Sequence, residues 1–76
     1  MTILSKEEIV ERIKGRDYFT VLFESGEETF YTRNSENKWI RKIWGATAYL
    51  TDEELALELE EMFIDENITK DKVIIF

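Results

Sequence analysis

Residues 17–24 read Asp17-Tyr18-Phe19-Thr20-Val21-Leu22-Phe23-Glu24. The stretch is rich in aromatic and β-branched residues, which predicts a β-strand. Side chains alternate between the two faces of a strand, so Phe19, Val21 and Phe23 share one face and the even-numbered residues share the other. We take this strand as the first of a sheet.

The following residues continue the sheet. Ser25-Gly26-Glu27 forms a turn, and residues 28–33 form the second strand of a hairpin. Asn34-Ser35-Glu36-Asn37 forms another turn, because such side chains readily bond to their own backbone.

Residues 38–44 fit two structures. Their alternation permits a third strand, whereas Trp39, Ile40, Ile43 and Trp44 would also share one face of a helix. We predict the strand, because the preceding hairpin offers it an edge and Gly45 allows a bend or a bulge.

A helix is predicted before the hairpin, over residues 5–15. Ser5 is a good N-cap, and Glu8 three positions later completes a capping box. The apolar stripe of this helix, at helical spacing, consists of Ile9, Val10 and Ile13. Gly15 follows the stripe, as is typical of a helix end.

A second helix is predicted over residues 51–65. Thr51 caps it, and Glu54 closes a second capping box. The side chains that face the core are Leu55, Ala56, Leu59, Met62 and Phe63. The apolar run at 73–76 predicts a short, buried final strand beside the first strand.

These elements follow one another in the order α-β-β-β-α-β. The chain is therefore predicted to be a single small α+β domain over residues 1–76. Its sheet would be an antiparallel three-strand meander with a short C-terminal strand, and two helices would pack on that sheet.

The composition excludes several kinds of site. The sequence has no Cys and no His, so it lacks thiol chemistry, disulfides, and the commonest metal ligand and general base. We therefore expect no catalytic residue, no cofactor and no metal, in a protein that is not an enzyme. No apolar run approaches ~18 residues and no secretory signal is present, so we expect a cytoplasmic protein without a membrane partner.

The second helix is strongly acidic. Its carboxylates, extending just past its end, belong to Asp52, Glu53, Glu54, Glu58, Glu60, Glu61, Asp65 and Glu66. Such a row is typical either of a solvated helix face or of a surface that docks on a basic partner by imitating phosphates. For the docking surface, the predicted contact residues are Glu53, Glu54, Leu57, Glu58, Glu60, Glu61 and Ile64.

Leu57 and Ile64 interrupt the acidic face. At 100° per residue they lie almost opposite the side chains that face the core. Either the helix is contacted on two sides or these residues form a small exposed apolar spot. The contact would be with the tail of the same chain or with another chain, and a homo-oligomer is one form of the second case.

A basic, aromatic segment supplies an alternative binding face. Its residues are Tyr31, Arg33, Trp39, Arg41 and Lys42. Aromatic side chains beside cations on a sheet can stack on bases and hold phosphates. The net charge of −7 opposes nucleic-acid binding. The competing interpretation buries the tryptophans in the core and pairs the cations with the acidic helices.

The short length, acidity and αβββα order resemble small proteins of bacterial viruses, some of which inhibit host nucleases by mimicking DNA. The segment 9–21, in which Lys14, Arg16, Asp17 and Tyr18 join helix to strand, is similar to the start of an anti-CRISPR protein. It covers under a fifth of the chain and assigns no site residue. We expect a small non-catalytic protein-interaction domain, with a phage-encoded inhibitor as one form. The alternatives are a nucleic-acid-binding domain and a self-associating structural protein.

Overall fold

The computed structural model describes residues 2–76, so Met1 of the predicted domain 1–76 lies outside the described part. The elements are α1 (Lys6–Ile13), β1 (Tyr18–Phe23), β2 (Glu28–Arg33), β3 (Trp39–Ile43), β4 (Ala46–Leu50), α2 (Asp52–Asp65), a 3-10 helix (Lys70–Lys72) and β5 (Val73–Ile75). The α+β class is confirmed, and so is most of the predicted order.

The strands form one sheet in the order β4-β3-β2-β1-β5, and every neighbouring pair is antiparallel. The final strand does lie beside the first, as expected. The prediction that this strand is buried is confirmed for Val73 and Ile75 but is wrong for Ile74, which is 56% exposed. Helices cover only one face of this sheet, so a continuous apolar run here does not mark a two-sided core strand.

The prediction of a strand rather than a helix at 38–44 is confirmed, but the three-strand meander is wrong by one strand. β3 turns back through Trp44 and Gly45 into β4, which pairs with it from Trp39–Leu50 to Ile43–Ala46. Both turn residues have positive φ, 52° and 80°. Two such residues define the type I′ turn that suits a tight hairpin. The usual Asn-Gly signal is absent because Trp occupies its first position.

Both helices begin as predicted. In α1 the Glu8 amide donates to Ser5 Oγ and the Ser5 amide donates to Glu8 Oε1, each at 3.3 Å. In α2 the Thr51 amide donates to Glu54 Oε1 at 2.8 Å. These bonds satisfy amides that the first helical turn leaves without a partner.

The core lies between the helices and one face of the sheet. Phe19 is at its centre, with its ring stacked on Tyr31 at 5.0 Å and edge-on to Trp39 at 4.8 Å. The other fully or nearly fully buried apolar side chains are Leu4, Ile9, Ile13, Val21, Leu55, Ala56, Leu59, Phe63, Val73 and Ile75. Over residues 2–76 the fold therefore has two layers, and no helix covers the second face of the sheet.

Candidate interaction surface

The uncovered face of the sheet is called the open face below. Strand register and alternation place twelve side chains on it. They belong to Tyr18, Thr20, Leu22, Glu28, Phe30, Thr32, Ile40, Lys42, Thr47, Tyr49, Ile74 and Phe76. Phe76 follows β5 and continues its pairing, since the Phe76 amide donates to the Thr20 carbonyl at 2.9 Å.

Four aromatic side chains dominate the open face. The exposed fractions are 63% for Tyr18, 67% for Phe30, 57% for Tyr49 and 50% for Phe76. With about 200 Å² of surface per aromatic side chain, these four alone expose roughly 470 Å². Isolated exposed apolar residues are ordinary, whereas a contiguous patch of several hundred Å² is often functional.

Thr20 shows that the patch is continuous. It lies on the open face with Phe30 and Phe76 as its cross-strand neighbours. Although no helix covers this face, Thr20 is only 4% exposed. Large neighbouring side chains therefore close over it, and they form one apolar surface across β2, β1 and β5.

Charge is scarce on the open face. Of its twelve positions, Glu28 and Lys42 alone are charged, and their charges cancel. Across the whole chain, by contrast, 36% of the residues are charged. The interior of a protein–protein interface has this same composition, with few charges and many aromatic residues.

The predicted acidic site is only partly available. Glu58 forms an ion pair with Arg41 at 2.9 Å, and Glu60 accepts a hydrogen bond from the Lys6 amide at 2.8 Å. Glu54 is engaged in the capping box, where the hydrogen bond from the Thr51 amide lowers its pKa. Much of the acidic helix thus stabilises the fold.

The remaining predicted residues of this site are free to meet solvent. Glu53 and Glu61 are exposed on α2. Leu57 and Ile64 are 43% and 56% exposed. The two apolar side chains therefore form a small exposed spot, and the alternative in which the chain's own tail buries them does not hold.

Four of the five residues of the alternative nucleic-acid face lie next to one another, but on the helix side of the sheet rather than on an exposed surface. Trp39 is buried and Tyr31 stacks on Phe19, both on the helix side of the sheet. Burial raises the pKa of Tyr31, and the nearby Glu58 carboxylate raises it further. Arg33 and Arg41 bind Asp52 and Glu58 of α2. Among these five residues Lys42 alone lies on the open face.

The two tryptophans have opposite environments. Trp39 has no exposed surface, whereas Trp44 at the β3–β4 turn is 99% exposed. Sequence reasoning that treated both as core was right for Trp39 and wrong for Trp44. A turn places its side chains outside the packed layers, so the large apolar surface of Trp44 is available to a partner.

A groove of about 430 Å³ also opens between the β1–β2 hairpin and α2. Its apolar floor includes Val21 and Leu59, which the fold already buries. Its rim carries Glu24 and Lys72, which pair at 3.4 Å. A ligand would gain little apolar contact there, so the open face is the stronger candidate.

Sequence reasoning missed the open face. The signal for it was present in β1, where Tyr18 and Leu22 make the second face apolar as well. That pattern is equally typical of a strand covered on both faces. Which strand faces lack a covering helix depends on where both helices pack, and no single segment shows that.

Two further observations delimit the site. The described residues contain no group of three or more acidic side chains arranged to hold a metal ion. In the same part of the chain, no helix has the length and apolar character needed to cross a membrane.

Comparisons with protein-family models, curated proteins and solved structures found no match.

Proposed function

We propose that this chain is a non-catalytic protein-interaction domain that binds its partner through the open face. The observation that carries the proposal is that four aromatic side chains, each at least half exposed, lie on a surface with almost no charge. Aromatic anchors at the centre of an interface supply most of its binding energy. Phe30, on the central strand β2, is the anchor with the largest exposed fraction of the four.

The apolar area of the open face is comparable to what association requires. Burying roughly 470 Å² of aromatic surface contributes about 12 kcal/mol at 25 cal/mol per Å². Association costs about 4–15 kcal/mol in lost translational and rotational freedom. The open face is therefore large enough to support an interface, provided that most of it is covered.

Nucleic acid fits this surface less well. Exposed aromatic side chains on a sheet can stack on single-stranded bases, but such sites also need a positive groove for the backbone. The open face has a single cation, Lys42, and the chain has a net charge of −7. Phosphates would therefore be repelled rather than held.

The outer face of α2 supports a second candidate, which is docking on a basic protein surface in the manner of an inhibitor that mimics DNA. The observation that favours it is the exposure of Glu53 and Glu61 together with the apolar Leu57 and Ile64. Binding at this face would weaken steeply with salt, because it depends on solvent-exposed charges.

Photo-cross-linking tests these two candidates against each other. A benzophenone side chain is introduced at position 30, or at position 64 as the matched control, in cells that produce the protein. Both Phe30 and Ile64 are more than half exposed, on the open face and on α2 respectively. We expect protein adducts from position 30 and few from position 64. Adducts from position 64 alone would support the α2 surface instead, and adducts from neither position would refute both proposals.

A further inference from the structure

We infer that the partner on the open face is a second copy of this chain, packed sheet against sheet in a symmetric dimer. The inference rests on the proposed function, and it names the occupant of the same surface. In such a dimer the two sheets form the middle layers, and the helices of each copy form the outer layers.

The charge distribution permits this arrangement. Each copy has a net charge of −7, and the acidic residues of α2 lie on the layer away from the open face. With about 10 Å between packed layers, the two helix layers would be roughly 30 Å apart. That separation exceeds the Debye length of about 8 Å at physiological ionic strength, so repulsion between the helices is screened.

The open face itself is self-complementary. Its apolar side chains come from all five strands, and the central strand β2 carries Phe30 near the middle. Its two charges, on Glu28 and Lys42, have opposite signs. In a two-fold interface the same patch serves both partners, so a neutral patch presents no net charge to itself.

The exposed edge of β4 offers the competing mode of self-association. β4 lies at one edge of the sheet, and its sequence Ala46-Thr47-Ala48-Tyr49-Leu50 contains no charge and no Pro. Such an edge can pair with another strand. However, antiparallel edge pairing about a two-fold axis perpendicular to the sheet would place both α2 helices on the same side of a continuous sheet. It would also leave both open faces uncovered, so it does not remove the exposed aromatic surface.

The available area matches the size of a small dimer interface. Adding the exposed aliphatic side chains to the aromatic ones gives roughly 600 Å² per copy. The corresponding total of about 1,200 Å² is the lower limit for a specific, stable interface. Permanent dimers usually bury more than about 2,000 Å² in total, so we expect a dimer that dissociates on dilution.

Sedimentation velocity on the intact chain, from about 1 to 500 μM, tests the dimer. The monomer mass is 9.1 kDa, so the wild type should shift with concentration towards twice that mass. Phe30→Glu should weaken the dimer at least tenfold, because it places a charge at the centre of the interface. Ile64→Glu is the matched control: it also replaces a large exposed apolar residue by Glu, and it should leave the dimer unchanged.

Tyr49→Glu places a charge on a different strand of the same face, so it is a second test in case Phe30→Glu disturbs folding. Far-UV circular dichroism checks that each variant is folded. Two folded open-face variants that dimerise like the wild type would overturn the inference, and so would a wild type that stays monomeric throughout. Loss of the dimer in Ile64→Glu alone would move the interface to α2.

The cross-linked products at position 30 distinguish the dimer from the more general proposal that the open face binds a protein. Adducts of twice the chain mass support the second copy as occupant. Adducts with a different protein would refute the dimer but retain the open face as an interaction surface. The absence of any adduct would refute both.

Discussion

The guanidinium carbon of Arg33 lies 4.0 Å from the ring centroid of Trp39, its cross-strand partner on β3. Both side chains donate to Oδ1 of Asp52, the first residue of α2, at 2.8 Å from Arg33 Nη1 and 2.6 Å from Trp39 Nε1. Arg33 also donates to the carbonyl of Ile13, the last residue of α1, and to that of Arg16 in the following loop. A single arginine therefore joins both helices to the sheet, and its charge is compensated although its side chain is only 7% exposed.

Asp52→Ala should reduce the free energy of unfolding by about 2 kcal/mol, because it leaves the buried charge of Arg33 and the Trp39 N–H without their shared acceptor. The partly exposed Asp52 carboxylate keeps the expected loss below that of a fully buried ion pair. Urea denaturation followed by circular dichroism measures it. Glu53→Ala removes an exposed carboxylate from the same helical turn and should cost under about 0.5 kcal/mol. Equal losses in both variants would show that the Arg33–Asp52 contact has no special weight.

Trp44→Phe should leave a protein whose fluorescence comes from buried Trp39 alone. We expect emission at shorter wavelength than in the wild type and several-fold weaker quenching by iodide, since the quencher reaches only exposed indole rings. The large difference in exposure between the two tryptophans is the basis of this expectation. Quenching that is unchanged after the substitution would mean that Trp39 is accessible in solution.

Trp44→Asn should stabilise the fold by about 0.5–1 kcal/mol, because Asn tolerates the positive φ that Trp44 adopts in the β3–β4 turn. Gly45→Ala should have the opposite effect, about 1 kcal/mol, since φ at this position is 80°. Urea denaturation of the two variants measures both changes. A loss of stability in Trp44→Asn would indicate that the exposed indole packs on the sheet in solution.

Stability should fall as the pH is lowered below about 5. The hydrogen bond from Lys70 lowers the pKa of Glu8, and the Thr51 amide lowers that of Glu54. A carboxyl group whose pKa is lower in the folded state stabilises the fold above its unfolded pKa. That contribution disappears as the pH drops through the folded pKa, because the protonated group binds its partners less well.

Glu54→Gln should therefore reduce the loss of stability between pH 5 and pH 3, because Gln keeps an acceptor for the Thr51 amide but does not titrate in this range. Urea midpoints at several pH values give the comparison. Glu53→Gln, which changes a carboxylate outside the capping box, serves as the control. A steeper loss in Glu54→Gln than in the wild type would contradict the assignment.

The elements with local signals could be predicted from the sequence. A capping box needs only two residues three positions apart, so Ser5 with Glu8 and Thr51 with Glu54 locate both helix starts. β4 was missed because Trp44 occupies a turn position that usually holds Asn or Gly. β4 also has only five residues, and two of them are Ala, which is uncommon in strands.

The candidate site was less predictable than the fold. The predicted acidic residues lie on α2, but contacts with Arg41 and with the Lys6 amide engage Glu58 and Glu60. Both partners are distant in sequence, and no local pattern shows which carboxylate will meet a cation. The open face depends in the same way on the packing of two helices against one side of the sheet.

Local sequence alone therefore establishes the α+β class, the helix starts, the first two strands and the absence of Cys and His chemistry. These features depend on side chains a few positions apart and on composition. The tertiary structure alone decides that Trp39 is buried while Trp44 is exposed, and that Tyr18, Phe30, Tyr49 and Phe76 share one uncovered face. The physical reason is that burial depends on which surfaces meet, and these surfaces come from strands that are far apart in the chain.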